Sequence, residues 1–336
     1  MELNTINLSD FVKIADMIFM KGLEGYSMVA KNSGLFRTED IPDNSGNARE
    51  YTEIDLEQYA RRKGENDQAA KARQQQGYSK TATLQRIGHN VGISWEMRHQ
   101  NKYPQVISVL TNLGRTVAQR MELDLQHRLT FGTATTYTNM DGESVDIAVG
   151  DTLALFSTAH TIRGASTTFR NILANNPLFS RGALEGMEQL IAENSINQFG
   201  EKISVAYDVI WTADHASSIN TMREFLKSTA SPDANNNGVI NVYQGKYRLV
   251  VLPLVATTNV GVVDTTKAKY WGLASTTNSQ AYVGVNENPH LMSNPTESSN
   301  AEDVMTDEWQ FRSRASYFIS TPGARWVTLS RGDGQA

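Results

Sequence analysis

At 336 residues the chain exceeds the roughly 100–200 residues of one ordinary domain, so two domains, or one with large excursions, are expected. Hydrophobic residues at 40% and charged residues at 20% exclude wholesale disorder, and a formal net charge of -5 excludes strong phosphate-backbone binding, which depends on Lys and Arg displacing counterions. The absence of cysteine excludes disulfides, thiolate nucleophiles and Cys-ligated zinc, and fits synthesis in a reducing cytoplasm.

The first predicted element is a helix over residues 9–21, where Phe11, Ile14, Ala15, Ile18 and Phe19 recur at helical spacing between Ser9 as N-cap and Gly22 as stop. Lys13 and Asp16 interrupt it, which is wrong for a secretory signal, and no stretch approaches the ~20 apolar residues of a membrane span. From Ala30 to Arg49 the composition turns to Asn, Ser, Gly, Asp and Pro, an extended arm that leaves the helix tethered rather than embedded. Thr52, Ile54 and Leu56 then alternate with acidic residues, and Ile87, Val91, Ile93 and Trp95 alternate with small or polar ones, the period of half-buried strands. Between them run Arg61-Arg62-Lys63-Gly64-Glu65-Asn66-Asp67 and a Gln- and Ala-rich stretch to Ser79. Two strands with so polar a tip make a hairpin without a core, and an isolated hairpin is marginal in water.

After Tyr103-Pro104, Val106, Leu110, Leu113, Val117, Met121, Leu125 and Leu129 predict a helix sustained to Gly132. Its length is about 35 Å at 1.5 Å per residue. Arg115, Gln119, Arg120, Glu122, Asp124 and Arg128 supply polar faces, so it is expected to lie as a spine along one side of a sheet or core. Residues 133–180, rich in Thr, Asn and Gly, read as a long connection with short strands. A helix over Ala183–Asn194 follows, then a strand from Val205 to Trp211, a helix over Ser217–Lys227 and a buried strand Tyr247–Leu252. Strands at Tyr282–Val285, Trp309–Ile319 and Arg325–Leu329 close an α+β chain with no βα alternation and no internal repeat.

Chemistry is sparse. The histidines, His89, His99, His127, His160, His215 and His290, form no metal pair, and no nucleophile elbow or phosphate-binding glycine loop is present. Asp214-His215 with Ser217 and Ser218 is the nearest approach to a hydrolase constellation, but sequence neighbours do not usually converge as a triad, and a polar helix N-terminus is the better reading. Asp233 to Gly238 matches the first six positions of a calcium-binding EF-hand loop; the twelfth is Gln244, whose neutral amide cannot supply the bidentate carboxylate, so a polar turn is expected. Arg331-Gly332-Asp333 reads as chance. No catalytic, cofactor-binding or metal residue is assigned, and no cofactor is expected.

The order of arm, polar hairpin, spine helix and strand-rich remainder resembles the major capsid proteins of tailed bacteriophages, nearest the head subunits of Mu-like phages. Leu155-Phe156-Ser157-Thr158-Ala159-His160 carries the resemblance, as do Ser231 to Asn237 leading through Asn241-Val242-Tyr243-Gln244-Gly245 into Tyr247–Pro253, and the Trp309–Arg325 ending. It implies an N-terminal arm at 1–48, an extended loop at 49–96, a peripheral domain with the spine helix at 97–150 and 283–320, an axial domain at 151–282 and a closing strand and tail at 321–336. It further implies a structural protein, not an enzyme, that assembles with itself into hexamers and pentamers of an icosahedral head in the host bacterial cytoplasm. Double-stranded DNA would be enclosed without sequence-specific binding, with a portal as partner and no membrane. The chain begins almost at the arm, so either a separate scaffolding protein acts or the sequence is already the mature one. Candidate inter-subunit contacts are Phe11, Ile14 and Ile18 on the first helix and Arg61, Arg62, Lys63, Lys71 and Arg73 at the hairpin tip, weighed against a merely solvated basic loop. The alternatives are a cellular nanocompartment shell enclosing cargo and, from another class, a binding or enzyme module with a regulatory arm, which would need a convergent pocket.

Overall fold

The computed structural model describes residues 8–42, 46–100, 102–163, 167–230, 240–294 and 306–334. Helix α1 (Leu8–Glu24) and the single turn α2 (Val29–Asn32) lead into β1 (Arg37–Asp40), β2 (Ala48–Leu56), β3 (Gln74–Thr83) and β4 (Gln85–Ser94). A short α3 (Trp95–His99) precedes the spine, α4 (Tyr103–Thr130). Two small antiparallel pairs follow, β5 (Thr136–Thr138) with β6 (Ser144–Asp146) and β7 (His160–Thr161) with β8 (Thr168–Phe169). Helix α5 (Arg181–Asn194), β9 (Val209–Thr212), α6 (Ala216–Lys227), β10 (Arg248–Val251), β11 (Trp271–Ala274) and the long strands β12 (Tyr282–Ser293) and β13 (Glu308–Ser320) complete an α+β architecture.

Two sheets organise it. One runs β1-β12-β13-β4, with β1 parallel to β12 and the rest antiparallel; the other runs β10-β9-β11, with β10 parallel to β9. The central core gathers Trp211, Trp326 and Phe156 against Met121, Leu125 and Leu129 of α4. A second core lies under α5 and α6, where Leu184, Met187, Met222 and Phe225 close over Trp271. A third joins α1, α4 and the larger sheet through Phe11, Phe19, Leu110, Ile93 and Phe311. Each such apolar side chain contributes about 1.5–3 kcal/mol on full burial.

Four expectations are corrected. Helix α1 is embedded, not tethered: Ala15 and Phe19 are fully buried, and its backbone meets that of α4 at two glycines. A Cβ on Gly114 would lie 2.2 Å from the Phe19 carbonyl oxygen, and one on Gly22 2.1 Å from that of Thr111, so only glycine permits the approach. The partner of β2 is β3, whose sequence Gln-Gln-Gln-Gly-Tyr-Ser-Lys-Thr-Ala-Thr shows no apolar alternation, whereas the alternating Ile87–Ile93 run is β4, paired with β13 along ten residues. The apolar face of β4 is drawn into the core under α4 instead of into the hairpin. The spine's polar face is buried in its C-terminal half, where Glu122, Asp124 and Arg128 are covered. Finally, regular strand begins at Val209 rather than Val205, and Arg325–Leu329 makes only isolated bridges.

Candidate assembly surface

Strands β2 and β3 pair from Ala48↔Thr83 to Leu56↔Gln74, with one register shift between Thr52 and Ile54. The hairpin leans on its own chain through polar contacts. Asp55 pairs with Arg325 at 2.9 Å and accepts from the Gln198 N–H; Arg163 Nη1 donates to the Gly77 carbonyl at 2.8 Å. Further out, the Gln58 N–H donates to Glu201 at 3.0 Å and the Tyr59 hydroxyl to the Lys202 carbonyl at 2.8 Å. Exposed contacts of this kind contribute about 0–1 kcal/mol each. Meanwhile Ile54, Leu56 and Tyr59 stay 62%, 51% and 61% exposed, an apolar stripe that its own chain leaves uncovered.

Every residue from Gln58 to Gln74 is exposed. Arg61 and Arg73 both reach Glu57, at 3.3 and 3.4 Å, and the Arg73 N–H helps hold that carboxyl below its ordinary pKa. The Arg73 guanidinium also lies 5.1 Å over the Phe199 ring. Among the described residues, Arg62, Lys63 and Lys71 have no ion-pair partner.

On α1 the expected contact residues divide. Phe11 points inward, 5.1 Å from the Trp309 ring and 6.1 Å from Phe311, and Ile18 packs partly on the same core. Ile14 faces out, together with Met17 and Met20, which the sequence pattern did not single out. Their spacing, 14, 17 and 20, is a second apolar stripe on a helix whose first stripe is already buried, and that duplication was the available signal.

The remaining motifs behave as structure. His215 caps α6: its Nδ1 accepts from the Ser218 N–H at 3.3 Å and lies 2.8 Å from the buried Ser218 hydroxyl, while Asp214 is exposed and makes no hydrogen bond to it. The Asp233 loop lies outside the described residues, among which no group of three His, Asp or Glu is placed to hold a metal. No helix among the described residues is long and apolar enough to cross a membrane. Among the strongly perturbed titratable groups are a carboxyl and an imidazole. Burial pushes the Glu53 carboxyl up to about 6 although Arg325 opposes it, and burial followed by the Lys267 charge pushes His127 down to about 4. His127 rests against Thr257 at 3.1 Å and between the edges of Phe131 and Tyr137, and so has no access to a substrate. A cleft of about 710 Å³ lies between the start of β4, the C-terminal half of α4 and the β5–β6 turn.

No curated protein matches the chain. Solved structures similar to it include those of Gordonia phage Cozz (11% identity, TM-score 0.49, covering 88% of this chain and 84% of that one), the virus-like particle from Pyrococcus furiosus (12%, 0.45, 94% and 97%) and the capsid of cyanophage P-SCSP1u (10%, 0.47, 88% and 85%). The family model described as phage capsid protein matches residues 77–327, about three quarters of the chain, with no assignment to Mu-like heads in particular. That span takes in most of β3, all of α4 and every strand of the two sheets but β1, and on that match the chain belongs to the phage capsid protein family.

Proposed function

We propose that this capsid protein is the major subunit of a tailed-phage head, nearest to Mu-like heads, assembling as hexamers and pentamers into an icosahedral shell around double-stranded DNA. The observation that carries the reading is the uncovered apolar stripe of the hairpin, Ile54, Leu56 and Tyr59, on the outer part of an element whose base packs through Tyr51 and Ala82 on Ile41 and Phe318 and whose outer part is held by polar contacts. A second copy lying across it removes that surface from water, and closed symmetry repeats the contact without leaving an open end. In this scheme residues 1–48 act as arm, although α1 is seated on the spine of its own chain, 49–96 as extended loop, although β4 returns from it into the larger sheet, 97–150 with 283–320 as peripheral domain, 151–282 as axial domain and 321–336 as closing segment. The outward stripe of Ile14, Met17 and Met20 supplies a further contact. DNA is contained rather than gripped, as suits a net charge of -5. A scaffolding protein and a portal complete the assembly in the bacterial cytoplasm, and the subunit ends in the virion.

Electron microscopy of the purified protein, alone and with its scaffold, is the test. Closed or partial shells are the expected result. A monodisperse monomer under every assembly condition rejects the reading, and shells that fill with a cargo enzyme instead of DNA transfer it to a cellular nanocompartment.

A further inference from the structure

We propose that Glu53 is a proton-operated latch, which in its neutral form fastens the base of the hairpin to the segment after β13 and in its ionised form releases it. The inference concerns the single subunit and stands apart from the shell reading.

Glu53 sits where the ladder of the hairpin slips. Between Thr52↔Ser79 and Ile54↔Gln76, strand β3 carries one residue more than β2, so Gly77 and Tyr78 together oppose Glu53. A bulge of this kind re-aims a side chain. Here the carboxyl lies against the segment after β13: a Cβ on Gly323 would collide with the Glu53 Oε1, and one on Gly77 would lie 2.9 Å from the Glu53 Cβ. Two glycines, one from each side, make room for one carboxyl.

The surroundings leave that carboxyl without a hydrogen-bonded cation among the described residues. Arg325 faces it, but its Nη1 donates to Asp55 at 2.9 Å, two residues along β2. Asp151 also faces it and is itself held by His160 at 2.9 Å and by the N–H groups of Leu153 and Thr161. From β3, Tyr78 shares a hydrogen bond with the Thr161 hydroxyl at 3.1 Å. From the stretch before β12, Gln280 brings its Oε1 to the same Gly323 position as the Glu53 Oε1, and that amide oxygen is buried with no hydrogen-bond partner. Two acceptors facing each other repel. A protonated carboxyl supplies the missing donor and satisfies the orphaned amide oxygen.

Ionisation has no solvent to draw on in this seat. The void beside Glu53, walled by Asp151, His160, Thr161, Pro322 and Arg325, measures about 20 Å³, room for about one water. A single water does not replace the hydration shell of a carboxylate. Burial, with the negative charges of Asp55 and Asp151 added, pushes the Glu53 pKa up to about 6 against Arg325 and the Gln280 amide. The folded value lies above the ordinary 4.5, so the latch is closed in acid and opens as the pH rises through 6. Glu53 stands between the apolar packing of Tyr51 and Ala82 at the base and the polar contacts of Gln58 and Tyr59 further out. Its release therefore loosens the outer hairpin and leaves the body of the subunit intact.

Hydrogen exchange on the full chain tests this, read as protection factors so that the intrinsic pH dependence of exchange cancels. From pH 5 to pH 7.5 the amides of β2 and β3 should lose protection about three- to tenfold, while those of α5 and β13 keep theirs. Glu53→Gln, whose amide can donate to Gln280 at any pH, should hold the hairpin at its acid-form protection throughout. Gln280→Met, which removes the acceptor, should lower hairpin protection at pH 5 toward the parental level at pH 7.5. Three results overturn the latch: hairpin protection flat across this range in the parent, a fall of equal size along the whole chain, or the parental fall retained in Glu53→Gln. The first two are read on the unmodified chain and need no variant to fold.

Discussion

The two halves of α4 are buried by different means. From Val106 to Ala118 the helix presents Leu110, Leu113 and Val117 to α1 and the sheet, with backbone touching backbone at Gly114 and Gly22. From Met121 to Thr130 it is surrounded, and its polar residues are buried with partners. Glu122 accepts from the Ala30 N–H and from Gln126, Asp124 from Arg120 and the Tyr317 hydroxyl, while Arg128 donates to the Asp146 carbonyl at 2.9 Å and Thr130 to the Val255 carbonyl at 3.1 Å. Shape alone fixes the first half. The second half adds directional bonds from four different segments, so its position relative to each is specified and a misplaced neighbour costs an unpaired buried group.

Four measurements break or sharpen this contrast. Asp124→Ala should cost most, about 3–5 kcal/mol in denaturant unfolding, because it takes from Arg120 the buried one of its two carboxylate partners, leaves the buried Tyr317 hydroxyl without its acceptor and removes a negative charge near the buried Arg128. Acid should act on the same half. The His127 pKa is depressed from 6.5 to about 4, so the stability it contributes is complete above pH 6.5 and is lost as the pH falls through 4, about 3 kcal/mol in all. Glu53, raised to about 6, works in the opposite sense: its contribution is complete below pH 4.5 and lost as the pH rises through 6, about 2 kcal/mol at most. His127→Phe should flatten the acid limb of a stability profile, and Glu53→Gln the limb between pH 4.5 and 6; unchanged profiles reject both assignments.

In the apolar half, Gly114→Ala should cost about 1–3 kcal/mol by forcing α1 off the spine, with faster proteolysis of the N-terminal helix as its signature. If α1 stays protected, the backbone contact is not what seats it. Least affected is Met17→Ser on the outer face of α1, within about 0.5 kcal/mol of the parent in thermal unfolding because Met17 is 72% exposed. A larger loss would show that this stripe is already covered within one subunit.

Much of the architecture was legible because periodicity reports burial on one side. The spine, α5, α6 and β13 all lie where the apolar spacing puts them, and the absence of a catalytic constellation agrees with a structural family. What the pattern could not carry was pairing. Strand β3 joins β2 through its backbone, with glutamine, lysine and threonine side chains that leave no hydrophobic trace, so the more apolar β4 looked like the partner. Burial of Glu122, Asp124 and Arg128 was equally hidden, since a polar face reads as solvated until the segments that satisfy it, near residues 30, 146 and 317, are brought alongside. At the assembly surface, the basic tip was visible as composition.

Strand β13 lies in the middle of the larger sheet, flanked for most of its length by β12 on one side and β4 on the other, and its side chains enter the central core, the core beneath α1 and a small cluster with Ile41, Tyr51 and Ala82 at the base of the hairpin. Tension applied along it meets both ladders in shear, where many hydrogen bonds must yield together, whereas tension across it would unzip them singly. A capsid subunit whose neighbours pull along this strand therefore behaves as a stiff tie, and stretching should be absorbed first by the outer part of the hairpin, beyond the Tyr51 and Ala82 packing at its base, where polar contacts with the rest of the chain can let go in succession.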